Sequence, residues 1–304
     1  LLSVILCRAQ SDSLAALKPS NSFSLVYDND FFSATDRYYT QGTHLRLTLG
    51  AFEKWPLFHL LPALSQGRAY SLSLQQDVFT PRSIRYKQGA VYEGERPFTA
   101  TLLMRHQRRS LSIAKKLLLF SFFDLGILGP AAFGAETQMG IHKALDNIAP
   151  QGWSNQLKTD VIVNYSAGLE KFLVNNSLID LSVFGAGRLG TLYSDADAGV
   201  QCRFGWLDGT FNESLRSNFS LCILFRGWGR AVGYNATLQG GLFSSGNIYE
   251  LPDSQVNRWL AQSKIGVLFR FRRVELEYSR YFISPEFREG LAHSWGRCGL
   301  SVLF

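Results

Sequence analysis

Short runs in which apolar and polar residues alternate recur along the whole chain. Within Arg273–Tyr281, the apolar side chains of Val274, Leu276 and Tyr278 are separated by charged or polar residues. Because successive side chains of a β-strand lie on opposite faces, this alternation predicts strands with one apolar and one polar face. The sequence contains twelve such runs, at approximately residues 22–28, 43–49, 70–77, 98–105, 119–126, 161–171, 178–188, 198–206, 219–232, 259–271, 273–282 and 295–304.

An even number of alternating segments, each about ten residues long, is typical of a membrane-spanning β-barrel. The last segment favours the same fold, because Cys298, Leu300, Val302 and Phe304 share one face and the segment closes on an aromatic residue. A soluble β-sandwich shows the same alternation and is the alternative fold, although it usually carries more surface charge. We therefore expect an all-β chain that forms a 12-stranded antiparallel transmembrane β-barrel.

Composition supports an apolar exterior. Charged residues make up 18% of the 304 residues and aromatic residues 13%, whereas ordinary soluble domains are roughly 25% charged. The most apolar stretch, Leu117–Leu128, includes Asp124 and is too short for the roughly 20 residues of a spanning helix. The net charge of +7 suits nucleic acid, an anionic membrane surface or a phosphorylated ligand. No nucleic-acid motif accompanies it, so we expect no nucleic-acid partner.

The first residues of the sequence predict export. Leu1–Leu6 is apolar and is followed by Cys7 and a more polar stretch, as at the end of a secretory signal. A lipoprotein interpretation of Cys7 is less favoured, because Leu6 is bulky where a small residue is expected. We expect residues 1–10 to be a signal-peptide remnant and residues 22–304 to form a single outer-membrane barrel domain.

The connections between the predicted strands alternate between the two ends of the barrel. If both termini lie in the periplasm, the odd-numbered connections are extracellular, where longer loops are expected. The longest, at about residues 127–160, contains a helical pattern over Ala135–Leu145. On this short helix in an extracellular loop, Gln138 and His142 lie four residues apart and share a face. The basic run Arg105–Arg109 is expected in a periplasmic turn.

Asp28, Asn29 and Asp30 follow one another at the outer end of the first predicted strand, and Thr35–Gly42 adds further polar residues. Closely spaced carboxylate and amide oxygens are suitable ligands for a hard cation such as calcium. The simpler interpretation is that these residues end a strand and begin a turn by bonding to their own backbone. The spacing alone favours the turn.

His142 is the candidate base. A lone histidine is more often structural or simply exposed, but Gln138 lies one helical turn away and the polar and aromatic run Gln151–Gln156 follows. A neutral imidazole accepts a proton from water when the bond that the water attacks is polarised. A cation at Asp28–Asp30 would supply that polarisation.

The second predicted extracellular loop is rich in basic residues. Its simplest interpretation is a solvated loop, and its functional interpretation is a set of contacts to lipopolysaccharide phosphates at the outer leaflet. The basic residues are Arg82, Arg85, Lys87 and Arg96. We find neither a nucleophile elbow of the GxSxG type nor a phosphate-binding loop in the sequence.

Taken together, these stretches resemble the lipid A 3′-O-deacylase family of outer-membrane enzymes. Order and spacing match over about residues 22–170, whereas the C-terminal half matches mainly in strand pattern. Gln41 and the pair Glu95 and Phe98 depart from the residues common in the family but keep their chemical class. The residues that carry the resemblance are Asp28–Phe31, Thr35–Gly42, Gln76–Pro81, Glu95–Phe98, Asp124–Gly126, Gly129–Pro130, Gln138, His142, Gly152–Gln156, Tyr165 and Glu170.

The resemblance implies a calcium-dependent hydrolase that removes the 3′-linked acyloxyacyl chain of lipid A without an acyl-enzyme. By position, His142 would be the base that activates water, and Asn29 and Asp30 would hold Ca²⁺. Thr40 and Gln138 would support the site and the substrate carbonyl.

Lys87 would contact a phosphate or sugar of the substrate by the same resemblance. The group that orients His142 stays open, because Asp146 is the only acidic residue between His142 and Trp153. We expect the active site to face the outer leaflet, reached from the membrane through a groove on the wall near strands one to six.

The expected partners are lipid A within lipopolysaccharide, the bacterial outer membrane and the barrel-assembly machinery during insertion, and the expected state is a monomer. Two other functions stay open. A passive porin or adhesin would carry its chemistry on the inward faces of the barrel. An outer-membrane phospholipase would release fatty acid from glycerophospholipid and leave the mass of lipid A unchanged.

Overall fold

The fold is a closed barrel of twelve antiparallel strands, as the sequence predicts. The computed structural model describes residues 21–33, 37–84, 93–207, 211 and 218–304, so the predicted signal remnant at residues 1–10 lies outside the described residues. Each strand pairs with its neighbours along the chain, and the first strand pairs with the last. The strands are β1 Ser22–Asn29, β2 Tyr38–Thr48, β3 Gln66–Thr80, β4 Thr99–Ser112, β5 Leu117–Leu128, β6 Asp160–Asn175, β7 Ile179–Gly190, β8 Tyr193–Trp206, β9 Phe219–Asn235, β10 Trp259–Phe271, β11 Val274–Ile283 and β12 His293–Leu303.

Helices occur in the connections between strands. The predicted helix at Ala135–Leu145 is observed as α2, Gly134–Ala144, between β5 and β6, and the shorter helices are α1, Pro56–His59, and α3, Ala236–Gln239. Single 3₁₀ turns lie at Asp30–Ser33, Gly50–Lys54, Pro130–Ala132, Trp153–Asn155 and Asp253–Gln255. Among the described helices, none is long and apolar enough to cross a bilayer.

The two faces of the sheet differ as the alternation predicts. On β10, Ile265 and Val267 point outward and are exposed, whereas Lys264 and Gln262 point into the lumen and are buried. Many charged residues that face the lumen are paired, and ion pairs and aromatic rings occupy much of the lumen. The pairs include Arg297–Asp28, Arg105–Asp124, Arg188–Asp195, Arg230–Asp197, Arg203–Asp180 and Lys264–Glu277.

The basic run Arg105–Arg109 lies within β4, so its expected position in a turn is wrong. Arg105 faces the lumen and binds Asp124 with two hydrogen bonds of 2.6 and 2.8 Å. Arg108 has the parity of the exposed, outward Met104, yet it is buried. The β2–β3 connection covers it, and its guanidinium donates to the carbonyl oxygen of Leu61 at 2.6 Å. The chain itself therefore shields cations that the strand pattern alone would place in lipid.

We call the end of the barrel at which β1 ends and β2 begins the upper rim. Arg96 joins three connections there: its Nη1 donates to Glu286 at 2.8 Å, its Nη2 donates to Thr237 at 2.6 Å, and its guanidinium lies over the Phe79 ring. Burial is the largest single influence on the pKa of Glu286 and raises it, but the neighbouring charges, Arg96 first among them, together lower that pKa below its usual value. Glu286 therefore stays ionised, and the connections close over the lumen.

Candidate functional site

Helix α2 packs on the outer surface of β3 and β4, which we call the outer wall. Val78 and Ala100 are paired in register and share the parity of exposed, outward residues on their strands, yet both are 0% exposed. Ala135 of α2 and Trp153, which follows α2, cover them. The helix and the following segment therefore pack on the outside of the barrel and not in its lumen.

The start of α2 is fixed close to the strands. A Cβ atom added at Gly134 would lie 2.3 Å from the Cβ of Ala100, so a residue without a side chain allows this approach. Gln76, an outward residue of β3, donates from Nε2 to the carbonyl oxygen of Ala132 at 2.6 Å. This polar group on a bilayer-facing strand position ties the β5–β6 connection to the wall.

His142 is oriented by a backbone group. Its Nδ1 lies 2.7 Å from the carbonyl oxygen of Ile148, and the ring is buried. Because a carbonyl oxygen only accepts, this bond assigns the proton to Nδ1 and leaves the lone pair of Nε2 to accept a proton. The backbone carbonyl of Ile148 therefore orients the His142 ring. From the sequence, no acidic side chain in this segment could be assigned to that role.

Gln138 lies one turn before His142 and is completely buried. Its Oε1 accepts a hydrogen bond from Trp153 Nε1 at 2.9 Å. Its Nε2 is buried and has no hydrogen-bond partner among the residues that the structure describes. A buried donor left without an acceptor costs about 1–3 kcal/mol, so this amide is suited to a ligand that brings an acceptor.

Asn29 and Asp30 are held at the upper rim of β1. Asn29 Oδ1 accepts from the backbone N–H of Phe31 at 2.7 Å, and Asp30 Oδ2 accepts from the backbone N–H of Arg37 at 2.6 Å. The turn interpretation of these residues thus describes their local bonds. Asp28 is different, because it faces the lumen and pairs with Arg297. The expectation of one cluster across Asp28–Asp30 is therefore wrong for Asp28, since neighbouring strand residues point to opposite faces.

The register connects β1 to the surface beneath α2. Asn29 pairs with Gln41, Gln41 pairs with Val78, and Val78 pairs with Ala100. Strands lie about 4.8 Å apart, so Asn29 is roughly 10 Å along this outward row from Val78. Asn29 and the α2 contact surface therefore belong to one region of the outer wall.

Thr40 lies at an irregularity in this row. The register between β2 and β3 shifts between Tyr39 and Gln41, and Thr40 is the extra residue. The Tyr39 hydroxyl turns into the lumen and donates to Asp28 at 2.9 Å. Thr40 Oγ1 lies 2.7 Å from Thr80 Oγ1, whose strand position has the outward parity of Val78. The bulge thus adds two hydroxyl groups to the same side of the wall.

Five of the predicted residues lie at the upper ends of β1 and β2 or on α2, which packs on the neighbouring strands β3 and β4. They are Asn29, Asp30, Thr40, Gln138 and His142. Lys87 lies outside the described residues, as do Thr35, Asp36 and Arg85.

The donor set of the site fits an oxygen-seeking cation in kind. Calcium takes six to eight oxygen ligands, and carboxylates, amides, backbone carbonyls and water all serve. Asn29 and Asp30 offer an amide and a carboxylate oxygen. In the described part of the chain, no three His, Cys, Asp or Glu side chains lie together as a metal cluster. Among the described residues, ligands beyond these two would be of the other oxygen types.

Several residues of the site were not identified from the sequence. The contribution of Ile148 is a backbone carbonyl, and side-chain identity carries no signal for it. The role of Trp153 as the donor to Gln138 also needed the fold. Gln76 did leave a signal, because it is a polar residue at an outward position of an otherwise apolar strand face.

We predict separate effects for two substitutions of Gln138. Gln138→Glu removes the unpartnered N–H donor but keeps an oxygen that accepts from Trp153, so α2 should stay in place while turnover falls about 10- to 100-fold. Gln138→Leu loses both groups and should also loosen Trp153. Ester hydrolysis and Trp153 fluorescence measured on both variants test this expectation, and equal activity of Gln138→Glu and the unmodified chain would contradict it.

Comparison with known proteins gives one family. A family model described as outer membrane protein LpxR matches residues 1–304. Among solved structures, LpxR from Salmonella typhimurium is 18% identical with a TM-score of 0.76, over 93% of this chain and 100% of that chain. The translocator domain of the autotransporter NalP from Neisseria meningitidis is 9% identical with a TM-score of 0.47, over 100% of this chain and 95% of that chain. No curated protein matches.

The solved Salmonella structure shares the barrel fold with this chain. The family match covers the whole sequence, residues 1–304. The chain therefore belongs to the outer membrane protein LpxR family, the lipid A 3′-O-deacylases that its sequence resembles.

Proposed function

We propose that this outer-membrane protein removes the 3′-linked acyloxyacyl chain of lipid A by attack of a water molecule that His142 activates. One observation carries the proposal. His142, with Nδ1 bonded to the Ile148 carbonyl, and Gln138, with an unpartnered buried amide, share one face of a helix on the outer wall. A proton acceptor and a donor for an oxyanion are thus placed together outside the lumen.

The chain's own residues account for the proton transfers. Nε2 of His142 takes a proton from water, and the water oxygen attacks the ester carbonyl carbon. The Gln138 N–H donates to the carbonyl oxygen as negative charge develops on it. When the tetrahedral intermediate collapses, the bond to the sugar oxygen breaks and the imidazolium returns its proton to that oxygen. The products are a free acyloxyacyl acid and a sugar hydroxyl.

Ca²⁺ belongs to the proposal as the cofactor that Asn29 and Asp30 would hold. When bound, it supplies Lewis-acid polarisation of the ester carbonyl. The chain contributes the fixed positions of the ligands, since Asp30 accepts from Arg37 and Asn29 accepts from Phe31. These bonds hold the two side chains before any substrate arrives, which reduces the ordering cost of binding.

The placement of the site supports a substrate that enters from the bilayer. The esters of lipid A lie near the sugar level of the outer leaflet, and the residues of the site lie on the outer wall near the upper rim. We infer that the upper rim faces the cell exterior. The ion pairs in the lumen do not favour a porin, since such a channel needs an open path through the barrel.

The mass of lipid A tests the proposed function. In outer membranes that contain the unmodified chain and calcium, lipid A should lose one acyloxyacyl unit, and a chelator should prevent the loss. Asp30→Ala should prevent it even with calcium present. Asp146→Asn is the control, because Asp146 is an exposed acidic residue in the β5–β6 connection, which also carries His142, and asparagine tolerates its positive φ of 52°.

Two results would contradict the proposal. If lipid A keeps its mass with the folded, unmodified chain and calcium, the chain does not cut this substrate. If fatty acid is released from glycerophospholipid in the same membranes, the phospholipase interpretation replaces it. Activity that persists in the chelator would reject calcium dependence. The hydrolase proposal would then depend on whether replacing His142 abolishes the activity.

A further inference from the structure

A groove lies on the outer wall of β10, β11 and β12 near the upper rim, on the opposite side of β1 from α2. Its cavity volume is about 460 Å³, within the roughly 300–1,000 Å³ of small-molecule sites. Five small side chains line it: Ala261, Ser263, Ser284, Ala292 and Ser294.

The groove is explained by the size of the outward side chains. They are large on the lower rows of these strands and mostly small on the upper rows. Farther down the same strands, the exposed outward residues include Ile265, Tyr278 and Leu300. In the upper rows, Ser263 pairs with Phe282, and Phe282 pairs with Ser294. In this row, the small residues Ser263 of β10 and Ser294 of β12 lie on either side of Phe282 of β11. They leave a depression in the outer surface of the barrel. An apolar-rimmed depression on a bilayer-facing wall is suited to a hydrocarbon chain.

Arg37 lines the upper end of the groove. It comes from the β1–β2 connection, and its Nη2 donates to the carbonyl oxygen of Ala292 at 3.3 Å. Its Nε is buried and has no hydrogen-bond partner in the described residues. A guanidinium presents five donors in a planar fork that matches phosphate geometry. The groove therefore has a cation with unused donor capacity at its head.

Arg37 is the polar group that a ligand in the groove would meet. His293 borders the groove, but its ring has the lumen-facing parity of Arg297 and stacks on Trp295 with the ring centroids 5.4 Å apart. Buried polar groups normally find partners. The unpartnered Nε of Arg37 therefore points to a ligand with polar atoms at the upper end of the groove.

Arg37 also connects this groove to the site on the other side of β1. Its backbone N–H donates to Asp30 at 2.6 Å, while its side chain reaches Ala292. Between the two, Phe32 packs on Gly296 so closely that an added Cβ would lie 2.4 Å from the Cβ of Phe32. Phe32 and Arg37, two described residues of the β1–β2 connection, therefore form a ridge between the candidate cation ligands and the groove.

We propose that the groove binds an acyl chain of lipid A that is not cut, and that Arg37 pairs with a phosphate on the sugar headgroup. The inference rests on the proposed function and adds a substrate-binding residue and a specificity for phosphorylated substrate. A phosphorylated, many-chained lipid spanning the ridge would place one chain in the groove and another beside His142. The charge-assisted contact to Arg37 would fix which ester reaches the base.

Binding without turnover tests the inference. The His142→Ala chain in detergent micelles is titrated with lipid A that carries its phosphates and with the same lipid A after phosphate removal. Adding Arg37→Gln should weaken binding of the phosphorylated lipid about tenfold and change binding of the dephosphorylated lipid less than about twofold. Arg37→Lys should retain part of the difference, because it keeps the charge but loses the fork.

Filling the groove gives a second measurement. Ala261→Leu and Ser294→Leu should weaken binding of both lipid forms, since they occupy space that an acyl chain needs. Val267→Leu, at an exposed outward position of β10 outside the groove, is the matched control and should bind as before. All variants keep the backbone N–H of residue 37, so the bond to Asp30 stays.

The outcomes separate this inference from the proposed function. Equal binding of both lipid forms by the Arg37→Gln and parent chains, or unchanged binding after groove filling, would overturn the inference. A phosphate-dependent effect of Arg37 on phosphatidylglycerol vesicles but not on lipid A would also overturn it. Absence of lipid A cleavage by the unmodified chain, together with phosphate-dependent binding, would instead reject the proposed hydrolase and keep the groove.

Discussion

Replacing His142 by alanine is expected to lower the rate of lipid A deacylation by about 10²- to 10⁴-fold, the range for loss of a general base. The reason is the ring orientation: the Ile148 carbonyl fixes the proton on Nδ1, so Nε2 is the nitrogen that would accept a proton from water in the proposed mechanism. The measurement is the initial rate of acyloxyacyl acid release from lipid A in mixed micelles, with folding of the barrel checked by its resistance to unfolding in detergent.

Two neighbouring variants make this result specific. Lys143→Ala changes the next residue of the helix, which is exposed, and should leave the rate within about twofold. Ile148→Ala changes a half-exposed side chain but keeps the carbonyl that holds the ring, so it should also retain the rate. If His142→Ala keeps full activity, or if Ile148→Ala loses as much as His142→Ala, the proposed base is wrong.

Removing the Arg297 guanidinium should destabilise the barrel more than any other substitution proposed for this chain. Arg297 donates to both carboxylate oxygens of Asp28 at 2.7 and 2.6 Å, and the two residues are 1% and 0% exposed. Arg297→Met leaves the buried Asp28 carboxylate without its charged partner, which costs about 3–5 kcal/mol. The free energy of unfolding in guanidinium chloride, measured in detergent micelles, should fall by that amount.

The double variant separates the pair from its surroundings. Asp28→Leu combined with Arg297→Met removes both charges and should recover most of the loss, because an uncharged pair needs no compensation. Cys298→Ala, at the next and outward-facing position, is the control and should change stability by less than about 0.5 kcal/mol. A single Arg297→Met variant as stable as this control would show that the buried pair contributes little.

The barrel was predictable because alternation is a direct consequence of strand geometry, and it repeats twelve times. The ends of strands were harder to predict where the outer face is polar. Arg108 breaks the apolar outward pattern of β4, and only the β2–β3 connection that covers it explains why the strand continues. Coverage by a distant part of the chain leaves no mark in the local sequence.

The candidate site was also predictable from the sequence only in part. The shared face of Gln138 and His142 follows from helical spacing, and the structure contains that helix within one residue of its predicted ends. The separation of Asp28 from Asn29 also follows from alternation, although proximity along the sequence suggested one cluster. By contrast, the carbonyl of Ile148 reaches His142 through the path of a loop, which depends on the packing of Trp153 against the wall.

Closure of the barrel is expected to be a late step in its assembly. Asp28 and Arg297 are 269 positions apart, and β1 gains its second neighbour only when β12 has been made and inserted. Contacts of such long range form late, because the intervening loop must first be ordered. Since Asn29 and Asp30 lie at the end of β1, the candidate site is completed only with the last strand. A chain still in transit through the periplasm would therefore be an inactive precursor, and barrel closure would act as its activation step.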